Sequence, residues 1–136
     1  MNIEQTARSF FEACETGGGW EACKAHCHED AGFDCQADAL AETQTLADYA
    51  DWMKGLLGPI PDGRYELKAF ATDETRNTVV AAAVFHGTNT APGPVPPTNM
   101  AVASDYVYVI QMDDGKVRHM TKVWNDVHAL RALGWA

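Results

Sequence analysis

Lys122 is the side chain whose setting most invites chemistry. It lies in "KVRHMTKVWND", a stretch that reads as a β-strand. Strand alternation puts Met120, Lys122 and Trp124 on one face and Val117, His119, Thr121 and Val123 on the other. Met and Trp are large enough to reach across a concave face toward helices, whereas Val and Thr suit flat sheet packing. Lys122 is therefore expected to point inward. A lysine in an apolar hollow loses hydration and its pKa falls. It then serves as a neutral amine, a Schiff-base candidate or a cation awaiting an anionic ligand. The structural alternatives are an ion pair with an inward carboxylate such as Asp34, or snorkelling of the ammonium to the rim.

A second set of polar groups lies on the preceding strand. In "DYVYVIQM", Tyr106 and Tyr108 share a face with Ile110 and Met112, opposite Asp105, Val107, Val109 and Gln111. Buried tyrosines need a partner for the hydroxyl, so these two either bind a ligand or pack with satisfied OH groups.

Other chemistries are weaker. Cys23, Cys27, Cys35, His26 and His28 offer N/S ligands, but Cys23 and Cys27 continue the stripe of Trp20, and no C-x-x-C or H-E-x-x-H spacing occurs. No metal and no cofactor are expected. Cys35 with His86 or His119 lacks any nucleophile-elbow context, and "FHGTNT" follows a strand without opening a helix, so it is no phosphate cradle.

These residues must be positioned by one domain. The 136 residues are 46% hydrophobic and 21% charged, the profile of a single domain with a real core. Nineteen acidic against ten basic residues give a formal charge of -9 and no basic cluster, which excludes nucleic acid as a natural partner. The opening "MNIEQTARSFFEACETGGGW" has neither a signal-peptide core nor a spanning run, so no membrane is implied and a cytoplasmic location is expected. In that compartment Cys14, Cys23, Cys27 and Cys35 are free thiols.

Ile3, Ala7, Phe10, Phe11 and Cys14 predict a helix over about 3–16, stopped by "TGGG", and Trp20, Cys23 and Cys27 a shorter second one. "GFDCQ" reads as a strand. Thr45 caps a third helix with Asp48 three residues on. Its stripe is Leu46, Tyr49, Met53 and Leu56 or Leu57, and Gly58-Pro59 ends it. Beyond Gly63 four stretches turn extended, joined by the turns "DETRN" and "DDGK" and by the four-proline excursion "APGPVPPT", a candidate lip for an opening. A last short helix starts at Asn125 or Asp126 and runs through Val127, Leu130 and Leu133. Three helices followed by a run of antiparallel strands make an α+β domain in which a curved sheet wraps helices.

The order of elements, with "FHGTNT" followed by "PPT", "YVIQMDDGKV" and "VWNDVHALRALGW", resembles the nuclear transport factor 2-like superfamily, in its SnoaL-like polyketide cyclase branch. The resemblance spans nearly the whole chain. It implies a cystatin-like, cone-shaped barrel with a bent antiparallel sheet around three N-terminal helices, a deep apolar cavity and dimerisation through the outer sheet face. Where the cyclases carry an acid/base pair on the last strand, this chain has Met120 and Lys122. Aligned with ketosteroid isomerase relatives, Tyr108 falls where an oxyanion-binding acid is kept and Cys35 where the proton-shuttling carboxylate is kept. The family's "GTHTG" is here "GTNTA", with Asn89 for the histidine.

The expected function is binding of a small apolar or weakly anionic molecule, with isomerase, cyclase or hydratase chemistry on a carbonyl compound as the enzymatic form. A non-catalytic ligand carrier or dimerisation module is the alternative. Lys122 and Tyr108 are the candidate catalytic groups, and Cys35, Tyr49, Trp52, Met53, Tyr106, Met120 and Trp124 the candidate walls. Val107, Val109, His119, Thr121 and Val123 form the expected homodimer face.

Overall fold

Helix α1 (Ile3–Glu15) begins where Asn2 makes a capping box: its Oδ1 accepts the Gln5 N–H at 2.9 Å and the Gln5 side chain accepts the Asn2 N–H at 3.2 Å. It ends before Gly17, whose φ of +83° needs a residue without Cβ. The computed structural model describes residues 2–136. The remaining elements are α2 (Gly19–Cys23), β1 (Cys27–Cys35), α3 (Leu46–Leu56), β2 (Arg64–Asp73), β3 (Thr78–Thr88), β4 (Ala101–Asp113), β5 (Lys116–Trp124) and α4 (Asp126–Ala132). Helix α3 is capped as its sequence predicts, with Thr45 Oγ1 accepting the Asp48 N–H at 3.2 Å.

The five strands form one sheet in the order β1-β5-β4-β3-β2. The expected α+β architecture of helices against a bent sheet is present, with two differences of detail. The sheet is mixed, because β1 lies beside β5 and runs parallel to it, while the other pairs are antiparallel. It is also open: β1 and β2 are its two edges and do not pair with each other.

Three local expectations are corrected. Cys27 does not continue the second helix. That helix stops at Cys23, a 3₁₀ turn follows at Lys24–His26, and Cys27 opens β1, paired with Val117 of β5. The three- and four-residue spacing of Trp20, Cys23 and Cys27 mimics a helix, but sheet pairing decides the backbone. Val117 is fully buried rather than on the outer face. Opposite it the register slips: Gln111 pairs with His119 and Met112 with Val117, so Arg118 is the extra residue of a bulge that turns Val117 inward. Val127 is exposed, and α4 instead buries Asp126 and Ala129, with Leu133 buried just beyond its end. Asp126 is tied down because its Oδ2 accepts the Ala39 N–H at 2.9 Å.

Elsewhere alternation holds. Tyr106, Tyr108, Ile110 and Met112 of β4 are buried and Asp105 and Gln111 are exposed. On the outer face Val107, Val109, His119 and Thr121 are half-buried and Val123 is exposed. The β4–β5 turn uses Asp114 and Gly115, both with positive φ, as a two-residue hairpin requires. The four cysteines are free and buried. Among the described residues no helix is long and apolar enough to cross a membrane.

The proline-rich loop is held by one buried side chain. Asn89, fully buried, donates through Nδ2 to Pro59 O (2.9 Å) and Ala91 O (3.0 Å), while its Oδ1 accepts from Thr98 N, Thr98 Oγ1 and Trp135 Nε1 at 3.0–3.2 Å. Gly93 lies so close to Pro59 that a Cβ there would come within 2.7 Å of the proline ring. Asn89→Ala leaves several buried polar groups unpartnered and is expected to cost about 2–4 kcal/mol in urea unfolding. A loss under about 1 kcal/mol would show that the loop does not depend on this residue.

Candidate functional site

Strand β5 places Lys122 inward, as the alternation of Met120 and Trp124 predicts, and its residue exposure is 6%. The ammonium sits in a cage of aromatic rings. Nζ lies 4.3 Å from the ring centre of Trp124, 5.1 Å from those of Tyr49 and Trp52, 5.4 Å from Tyr106 and 5.9 Å from Tyr108. Such faces attract a cation, the more so when water is excluded. Among the described residues Nζ makes one hydrogen bond, donated to the Tyr49 hydroxyl at 3.0 Å, and no ion pair.

The expected neutraliser, Asp34, is elsewhere. On the outer face its Oδ1 accepts from Thr121 Oγ1 and His119 Nε2, each at 2.6 Å, and these bonds hold its carboxyl below the usual range. The interior carboxylate is Glu15, at the last turn of α1, 3% exposed. Its Oε2 accepts from the Tyr108 hydroxyl at 2.8 Å and its Oε1 from the Tyr106 hydroxyl. The Tyr49 and Tyr108 hydroxyls are themselves hydrogen-bonded. A continuous chain of polar groups thus runs from the amine to the acid: Lys122, Tyr49, Tyr108, Glu15.

Burial acts on both ends of this chain toward neutrality. It pushes the Glu15 carboxyl up, against the two tyrosine bonds and the Lys122 charge that favour its ionised form. It pulls the Lys122 amine down to about 8, against the attraction of Glu15. The tyrosines are pushed upward, first by burial and then by Glu15, so they stay protonated and act as hydrogen-bond donors.

Lys122 and Glu15 both line a cavity of about 470 Å³. Its other walls are mostly apolar: Trp52, Met53 and Leu56 from α3, Val102 and Tyr106 from β4, Trp124 from β5, and Ala129, Leu130 and Leu133 from the last helix and its end, with Trp135 beyond. Gly93 and Pro94 of the proline-rich loop stand at its edge with Pro59. Of the residues expected to form walls, Trp52, Met53, Tyr106 and Trp124 do so. Tyr49, Tyr108 and Met120 are fully buried behind the wall, and Cys35, 8% exposed, pairs across the strands with Lys122 without lining the cavity. Tyr108, expected to touch a ligand, instead connects Tyr49 with Glu15. Neither candidate histidine partner meets Cys35: His86 bonds to Glu66 and His119 to Asp34.

Glu15 is the cavity-lining charged residue missing from the sequence reading. Its signal was present, four residues after Phe11 and eight after Ala7 on the apolar stripe of α1, where a charge is out of place. Among the described residues no group of three His, Cys, Asp or Glu side chains is arranged to hold a metal ion.

The helices, the bent sheet and the apolar hollow between them define the cone-shaped class of nuclear transport factor 2-like domains. The sequence profile of the SnoaL-like domain matches residues 7–120, and the chain belongs to that family. No curated protein matches the chain. Solved structures share the fold. AclR, a proposed hydroxylase from Streptomyces galilaeus, is 21% identical with a TM-score of 0.78, over 98% of this chain and 82% of its own. IdmH, a proposed polyketide cyclase from Streptomyces antibioticus, is 20% identical with a TM-score of 0.75, over 98% and 99%. A proposed SnoaL-like polyketide cyclase from Jannaschia is 15% identical with a TM-score of 0.75, over 97% and 93%.

The opposed charges make stability depend on pH in a defined direction. In Lys122→Met, Glu15 loses its cation and its folded-state pKa rises further above the ordinary 4.5. A raised carboxyl pKa favours the folded state below the unfolded value, and that contribution is lost as pH rises through the folded value. Lys122→Met is therefore expected to lose stability as pH rises above the ordinary carboxylate value of 4.5. Glu15→Gln/Lys122→Met should remove that slope, because neither position then carries a titrating group. Denaturant melts across pH check both.

Proposed function

We propose that this protein takes a small, largely apolar carbonyl compound, neutral or weakly anionic, into its cavity and moves a proton on it, as an isomerase or cyclase does. The observation that carries the reading is the meeting of one cation and one carboxylate, Lys122 and Glu15, on the wall of an otherwise apolar hollow of about 470 Å³. A hollow of this size suits a ligand of two or three fused rings. The likeness to structures described as proposed polyketide cyclases supports the same class.

The chemistry assigns distinct roles. Glu15 is the base: as a carboxylate with a raised pKa it can remove a proton from the carbon next to a carbonyl, and burial makes it a stronger acceptor than a solvated acid. Lys122 stands at the place where negative charge develops on the carbonyl oxygen, in a site with little competing water. Tyr106 lines the cavity with its hydroxyl directed to Glu15, so it sets the carboxylate's orientation. Trp52 and Trp124 offer faces for the apolar body of the ligand.

The test uses 2-tetralone, a bicyclic aromatic ketone. Binding is expected to change the fluorescence of the tryptophans lining the cavity. Catalysis is expected to accelerate deuterium exchange at the carbon next to the carbonyl, followed by NMR. Glu15→Gln should lower that rate by about 10²–10⁴-fold. Binding without exchange above the buffer rate would refute the enzymatic reading and leave a ligand carrier. Absence of binding would refute both.

A further inference from the structure

We infer that Lys122 works as a nucleophile, its Nζ condensing with the ligand's carbonyl to form a Schiff base while the Tyr49 and Tyr108 hydroxyls carry its proton to Glu15. This rests on the proposed carbonyl ligand and replaces a hydrogen bond to its oxygen by a covalent bond to its carbon.

Three features carry the inference. The first is where the amine stands. Trp52, Trp124 and Tyr106 surround Nζ at 4.3–5.4 Å, and the same three rings line the cavity, so the nitrogen faces the space a ligand would fill. The second is what holds it. A lysine kept only to neutralise Glu15 would pair with it directly, yet Nζ has one neutral partner, the Tyr49 hydroxyl, and no ion pair among the described residues. The third is the pair of tyrosines behind the wall. Tyr49 and Tyr108 are fully buried and outside the cavity lining, so they have no ligand to bind. Their hydroxyls nevertheless join the amine to the carboxylate in an unbroken line. Such a line lets each hydroxyl receive one proton and release another, moving a proton without exposing a charged tyrosine.

The steps balance. The ammonium gives a proton to Tyr49, Tyr49 gives its own to Tyr108, and Tyr108 gives its own to the Glu15 carboxylate, leaving a neutral amine and a neutral acid. The nitrogen lone pair adds to the carbonyl carbon, the C=O π bond breaks, and a proton passes from nitrogen to oxygen to give a carbinolamine. The proton held by Glu15 returns to the hydroxyl oxygen, the C–O bond breaks, and water leaves. The nitrogen lone pair forms the C=N bond of a protonated iminium, with Glu15 again a carboxylate. No oxidant or reductant is involved. The iminium is a cation within the same aromatic cage as the ammonium it replaces, and it draws electrons from the neighbouring carbon more strongly than the parent carbonyl does. Burial pulls the amine down to about 8, which brings the neutral, nucleophilic form closer to neutral pH than for an exposed lysine.

The experiment incubates the full chain with 2-tetralone and sodium cyanoborohydride, then reads intact mass and maps the modified peptide. The expected result is one reduced adduct on Lys122, forming faster as pH rises through about 8, with Lys24, Lys54, Lys68 and Lys116 unmodified. Lys122→Met should abolish the adduct. Tyr49→Phe, which cuts the proton path but keeps the ring, should slow it about tenfold at pH 7 and far less at pH 9.5, where bulk base deprotonates the amine. A merely structural tyrosine would not give that rescue. If 2-tetralone alters tryptophan fluorescence but no adduct maps to Lys122, the Schiff base is overturned and the cavity reading stands. If neither signal occurs, both fall. Adducts spread over surface lysines also overturn the inference.

Discussion

The interior depends on one balance: two opposite charges are kept out of water, joined through phenol hydroxyls rather than by direct contact. Removing either ion from water is costly, and their attraction offsets that only in part. The surrounding structure supplies the rest, with five ring faces around Lys122 and two hydroxyl donors on Glu15. A core designed only for stability would hold apolar side chains at these positions. Keeping the charged pair therefore marks this region as one where the fold gives up stability for something other than packing.

The arrangement draws on elements far apart in sequence. Glu15 ends the first helix, Tyr49 sits on the third, the two tyrosines of β4 alternate toward the same side, and Lys122 lies on the last strand. Each is rigidly held: α1 by its capping box, α3 by Thr45, and β5 by pairing on both edges, parallel with β1 and antiparallel with β4. A site built on paired strands and capped helices keeps its geometry better than one on loops. The loop contribution to the lining comes from Pro59 and Ile60 after α3, Gly93 and Pro94 of the proline-rich loop, and Trp135 after α4.

The sequence made the fold class and the inward lysine legible because both depend on periodicity, which a sheet with one covered face enforces strongly. It did not reveal depth. Alternation places Tyr108 and Met120 on the inner face, but whether a residue there lines a hollow or lies behind it depends on how far the helices stand off the sheet. Nor did it reveal Glu15, since a charged residue at the end of an amphipathic stripe reads as the edge of the stripe. The start of β1 and the inward turn of Val117 were hidden for another reason: pairing and a bulge set by a neighbouring strand leave no mark in the local pattern.

The position that the family's signature gives to histidine is here Asn89, the clamp of the proline-rich loop. An imidazole in that place would gain a proton in mildly acidic surroundings and change which neighbours it could hold. A carboxamide has no such second state. The clamp on the proline-rich loop is therefore one that does not titrate itself, and the titratable groups that could make this region answer to acidity, Glu15 and Lys122, lie on the cavity wall instead.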